Sequence, residues 1–142
     1  MTHDPDAPAA VLYDPDCGLC RVCVATILAW DRQGELRPVP LGGEEAAELL
    51  PALSPEERMA SWHLVSPGGT VWSGGAAFAP LLRLLPGGRP LAALSARLPR
   101  GSERAYRLVA DNRSTLGRLL PGFTRDWAER RLQGSGHGVS VR

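Results

Sequence analysis

The chain has 142 residues, 44% of them hydrophobic and 22% charged, the balance of one soluble globular domain with a core large enough to fold without disulfides or metal. All 16 basic side chains are arginines, which excludes Schiff-base chemistry and a Walker A phosphate loop, since both need a lysine amine. The net charge of +1 hides a division: residues 1–60 hold four arginines against eleven acids, and residues 61–142 hold twelve against four.

Residues 9–13 (Ala-Ala-Val-Leu-Tyr) form a short apolar run ending at Asp14-Pro15-Asp16, which predicts a strand buried on both faces and a sharp exit. A helix is expected next, with Leu19, Val22, Cys23, Thr26, Ile27 and Trp30 as its apolar stripe and Gly34 as its stop. Residues 36–41 read as an edge strand, because Pro38 and Pro40 lack ladder donors, and the resulting βαβ unit calls for parallel strands. A second helical segment covers 43–53 and 55–60. Residues 62–66 and 70–72 flank Pro67-Gly68-Gly69 as a hairpin, and 76–85 is an apolar helix. Beyond it, Leu91/Leu94/Leu98, Tyr106/Val109 and Leu116/Leu119/Leu120 predict three short helices that bury leucine and leave arginine in water. The expected division is a disordered 1–8, a domain over 9–86, a helical extension over 87–133 packed on it, and a flexible tail over 134–142. No apolar run approaches 18 residues and the first twenty residues are acidic, so neither a membrane span nor a secretion signal is expected, and a cytoplasmic setting follows. The arginine faces are read as solvated, with no nucleic-acid partner.

Cys17-Gly18-Leu19-Cys20 falls where the first strand turns into the first helix. Free amides and the helix dipole favour a thiolate at Cys17, while Cys20 lies one turn deeper near Val24 and Ile27. This is the arrangement for thiol-disulfide exchange, in which Cys17 attacks and Cys20 resolves the mixed disulfide. Cys23 sits on the apolar stripe and is read as a core side chain. Asp14 and Asp16 oppose a thiolate and Arg21 favours one. Asp16 is read as the helix cap, whereas Asp14 has two open roles, as a cap or as proton acceptor for the resolving thiol. His3 and His137 fall in expected frayed ends, which leaves His63, within a strand, as the histidine available to a rigid site; it is read first as structural and second as supporting the site. A metal reading needs more than C-x-x-C-x-x-C supplies: Ile27 occupies the fourth iron-sulfur position, and zinc would require Cys17, Cys20, Cys23 and His63 to converge. Neither cofactor nor metal is expected.

From Tyr13 through Cys20 the sequence resembles the DCC family of thiol-disulfide oxidoreductases, named for an Asp-Cys-Cys signature, with Asp14, Cys17 and Cys20 as the triplet. The likeness continues through residues 31–37, 62–69 and 73–78 and covers roughly 10–120. Pro15 stands where that family usually has glycine, and Met59-Ala60-Ser61 stands where thioredoxin-like enzymes place a cis-proline. The resemblance implies an α/β, thioredoxin-like β-α-β-α-β-β-α core carrying an Arg-rich helical extension. It also implies an enzyme that exchanges disulfides with protein or small-thiol substrates and draws on a separate reductant. A noncatalytic binding or redox-sensing module is the competing reading, and a thiolate metal binder the third.

Overall fold

Residues 9–13 present no charge to either side, and in the computed structural model, which describes residues 6–135, they form one of the two inner strands of a four-stranded sheet. The elements run β1 (Ala9–Tyr13), α1 (Gly18–Trp30), β2 (Leu36–Pro40), α2 (Glu44–Leu49), α3 (Pro55–Met59), β3 (His63–Val65) and β4 (Val71–Ser73). A 3-10 turn (Gly74–Ala77) then leads into α4 (Phe78–Leu84), α5 (Arg89–Arg97), α6 (Pro99–Asp111), α7 (Arg113–Leu119) and α8 (Gly122–Ser135). The strand order is β2-β1-β3-β4. β1 pairs parallel with β2 and antiparallel with β3, which pairs antiparallel with β4. Pro38 and Pro40 therefore lie on an edge strand, as their missing donors require.

Alternation along β1 divides the core in two. Ala9, Val11 and Tyr13 meet Val24 and Leu28 of α1 and Leu81 of α4 on one face, while Ala10 and Leu12 meet Val39, Ala46 and Leu50 on the other. Helix α1 ends at Trp30, before Gly34, because the Asp31 carboxylate accepts the amides of Glu35 (3.0 Å) and Leu36 (2.9 Å) and turns the chain into β2. In the β3–β4 turn Gly69 takes a φ of 88°, and its amide donates to the Ser66 carbonyl at 2.9 Å.

Three expectations need correction. The buried face of α1 is Val24, Ala25 and Leu28, with Thr26 exposed and Trp30 at its margin. This helix is apolar nearly all round, so periodicity does not select the face, and small Ala25 is fully buried on the face that packs. Residues 87–133 hold four helices, α8 being additional; it lies along α1 with Ala128 fully buried and Leu132 on the core. Leu91, Leu94 and Leu98 are at least half solvent-exposed, because α5 turns Ala92 and Ser95 inward instead, and Leu119 of α7 is exposed as well. Gly134 and Ser135 continue α8, and the remainder of the expected tail, with His137, lies outside the described residues, as do His3 and residues 1–5.

Candidate active site

Cys17 is the N-cap of α1. Its backbone is extended (φ −93°, ψ 112°), and its own Sγ accepts the amide of Cys20 at 3.3 Å. Sulfur thus satisfies one of the orphan amides that every helix start leaves open. Asp16 is exposed and is not the cap, contrary to expectation. Its amide is bound by Asp14 Oδ1 at 2.9 Å, a turn that delivers Cys17, rather than Asp16, to the capping position. Asp14 is not the cap either. Its other carboxylate oxygen faces Arg113 at 3.7 Å.

Cys20 lies one turn further on and lines an apolar cavity of about 150 Å³ with Tyr13, Asp14, Val24, Ile27, Trp62, Phe78 and Tyr106. Burial, helped by a hydrogen bond with Cys17 and by its charge, pushes the Cys20 thiol up to about 12, with Asp14 adding a smaller push and Arg113 a smaller pull. The two sulfurs are therefore neighbours in unlike settings, one on open amides and one in an apolar wall. All three cysteines are free thiols. Cys23 corrects the sequence reading: it is exposed, not a core residue, and lines the same cavity as Cys20. The face of α1 buried under the sheet runs through Val24 and Leu28, which turns Cys23 to the rim, where the apolar lining still raises its thiol.

Arg21 lies beside Cys17 in a second hollow, with Asp14 and Asp16. His63 does not join the thiols. It shares the face of Leu12, its partner in β1, opposite Val11 and Tyr13, so the sheet separates it from the cavity. Its ring bonds Ser73 Oγ at 2.6 Å and the Arg58 carbonyl at 2.9 Å, which uses both nitrogens; burial lowers its pKa. The set Cys17, Cys20, Cys23 and His63 accordingly does not converge as zinc would require.

Sequence reasoning missed the far wall. Tyr106, Val109, Ala110 and Arg113 fall at i, i+3, i+4 and i+7 and bring α6 and the start of α7 over the cavity. Tyr106 is hydrogen-bonded to the Trp62 backbone and the Ser61 side chain, and its ring meets Phe78 edge-on at 6.3 Å. Its signal was present as a helical stripe, but only the fold shows that the stripe faces thiols. Met59 and Ser61, from the segment before β3, complete that side.

A sequence model described as DCC1-like thiol-disulfide oxidoreductase matches residues 11–119. The chain belongs to that family. The family match takes in Asp14, Cys17 and Cys20 and runs through α5, α6 and α7, so the helices that wall the cavity fall within it. No curated protein and no solved structure matches the chain. Among the described residues no helix is long and apolar enough to cross a membrane.

Proposed function

We propose that the chain is a thioredoxin-like dithiol-disulfide oxidoreductase in which Cys17 attacks and Cys20 resolves. The β2-β1-β3-β4 order, with one parallel and two antiparallel pairings, supports the thioredoxin-like reading of the fold. One observation carries the chemistry: Cys17 Sγ caps α1 on the Cys20 amide, while the half-buried Cys20 lines the apolar cavity, whose desolvation pushes its thiol up to about 12. Cys17 as thiolate attacks a substrate disulfide, forming a mixed disulfide and expelling one substrate thiolate. Cys20 then loses its proton to Asp14, attacks Cys17 Sγ, closes the Cys17–Cys20 disulfide and releases the second substrate thiolate. The carboxylate of Asp14 suits that role because it lines the cavity with Cys20 and caps nothing. Arg21 supports the thiolate through its charge. Substrates are protein or small-molecule disulfides, a separate reductant restores the dithiol, and the setting is cytoplasmic.

The test is alkylation and trapping. With iodoacetamide near pH 7, Cys17 labels well before Cys20, and Cys20→Ser accumulates mixed disulfides where Cys17→Ser accumulates few. Faster labelling of Cys20, or insulin reduction that survives Cys17→Ser, reverses or removes the assigned roles. Failure of the pair to form a disulfide under mild oxidant favours the noncatalytic binding module.

A further inference from the structure

Arginines from three helices gather at the reactive end of α1. Arg21 of α1, Arg113 and Arg118 of α7, and Arg125 of α8 line a hollow of about 410 Å³ that includes Cys17. Two acids, Asp14 and Asp16, also line it. Arg113 stands 3.7 Å from the Asp14 carboxylate, and Arg125 donates to the Gly117 carbonyl. Neither Arg21 nor Arg118 has a hydrogen bond or ion pair from its side chain among the described residues. Four cations against two anions leave the hollow positive, and although Arg21 also acts on Tyr13 through its charge, both guanidiniums keep their N–H donors for oxygen acceptors.

We infer that the disulfide exchanged at Cys17 is a small molecule carrying carboxylates, which Arg21 and Arg118 bind while its sulfur faces Cys17. The inference rests on the thiol-exchange reading and names its substrate class. A guanidinium offers two parallel donors to a carboxylate, so arginine in this position discriminates by shape as well as by charge. The volume lies within the usual range of small-ligand sites, about 300–1,000 Å³. The chemistry balances without a further participant: the dithiol is oxidised by two electrons to the Cys17–Cys20 disulfide, the substrate S–S bond breaks, and its two sulfurs leave as thiols with the protons the protein gives up. A dithiol reductant resets the pair for further turnovers.

Three disulfides of similar length and opposite charge test this: 3,3′-dithiodipropionate (a dianion), bis(2-hydroxyethyl) disulfide (neutral) and cystamine (a dication). The pre-reduced full chain is mixed with each, and every rate is divided by that of dithiothreitol with the same disulfide. The expected order is dianion, then neutral, then dication. Arg118→Ala lowers the dianion-to-neutral ratio by about two- to fivefold, Arg118→Lys, which keeps the charge but not the paired donors, falls between the parent and Arg118→Ala, and Arg21→Ala/Arg118→Ala lowers it further. Equal normalised rates, or a double variant with the parental ratio, overturn the substrate class while leaving thiol exchange standing. No reaction with any of the three, in a chain that still reduces insulin, overturns this inference alone; no reaction with insulin either, in a chain whose Cys17 still alkylates, overturns the exchange reading with it.

Discussion

Burial, with the neighbouring Cys17, pushes the Cys20 thiol up to about 12, which under the proposed mechanism keeps it from attacking before the first sulfur is engaged. Cys23, three residues on, has its side chain at the cavity rim rather than under the sheet. Cys23→Ser should therefore change unfolding free energy by no more than about 0.5 kcal/mol in urea titration, as surface substitutions do; a loss of 1–3 kcal/mol would return it to the core. His63 behaves in the opposite way. It is buried with both ring nitrogens bonded, and its folded pKa lies below the ordinary 6.5. The unfolded chain therefore binds a proton that the folded chain refuses. The stability due to neutral His63 is full above pH 6.5 and is lost as pH falls through the folded value. Urea midpoints measured between pH 7.5 and 5 should drop more steeply for the parent chain than for His63→Gln, which itself costs about 1–3 kcal/mol at pH 7.5. Parallel curves would mean that His63 does not titrate in this window.

At the scale of elements, the join between α6 and the 3-10 turn places the far wall of the cavity. Glu103 Oε2 accepts the Gly75 amide at 3.1 Å, and a Cβ on Gly75 would come within 2.7 Å of the Glu103 backbone. Gly74 beside it takes a φ of 58°. Gly75→Ala must push α6 outward, so a loss of about 1–3 kcal/mol is expected, together with slower closure of the Cys17–Cys20 disulfide because Tyr106 moves with α6. Thermal unfolding and a thiol count under mild oxidant read the two effects; an unchanged melting temperature would show that this contact yields freely. The Gly-Gly pair reads in sequence as turn punctuation, since no local pattern says that a helix nearly thirty residues later packs on it. The first βαβ unit and the hairpin were legible because apolar runs, proline and glycine act locally. Capping by Cys17 was not: carboxylates one and three residues before it look like better caps until the Asp14–Asp16 turn is seen to remove them.

Across the whole molecule the sheet separates the charges. Glu44, Glu45, Glu56 and Glu57 belong to α2 and α3 beside the Ala10–Leu12 face, and the arginine-rich helices lie with α1 and α4 on the other. The division between the two halves of the chain is therefore spatial, and it gives the thiol end of α1 an arginine surround despite a net charge of only +1. The same layering explains why helical spacing misplaced the leucines of α5. Leu91, Leu94 and Leu98 recur as a buried stripe would, but the contact surface of α5 is made of Ala92, which is buried, and Ser95, whose hydroxyl meets that of Ser102 at 2.9 Å. Small residues let α5 approach its neighbours closely and leave the leucines half in water. Folding thus depends on them little. Leu91→Gln, Leu94→Gln and Leu98→Gln, made singly, should each shift unfolding free energy by no more than about 0.5 kcal/mol. Buried leucine would cost several times that, so a loss of about 2 kcal/mol or more at any of the three would put that side chain in a core, within this chain or between two copies of it. Urea titrations at two protein concentrations separate those cases, because only stability gained between copies depends on concentration.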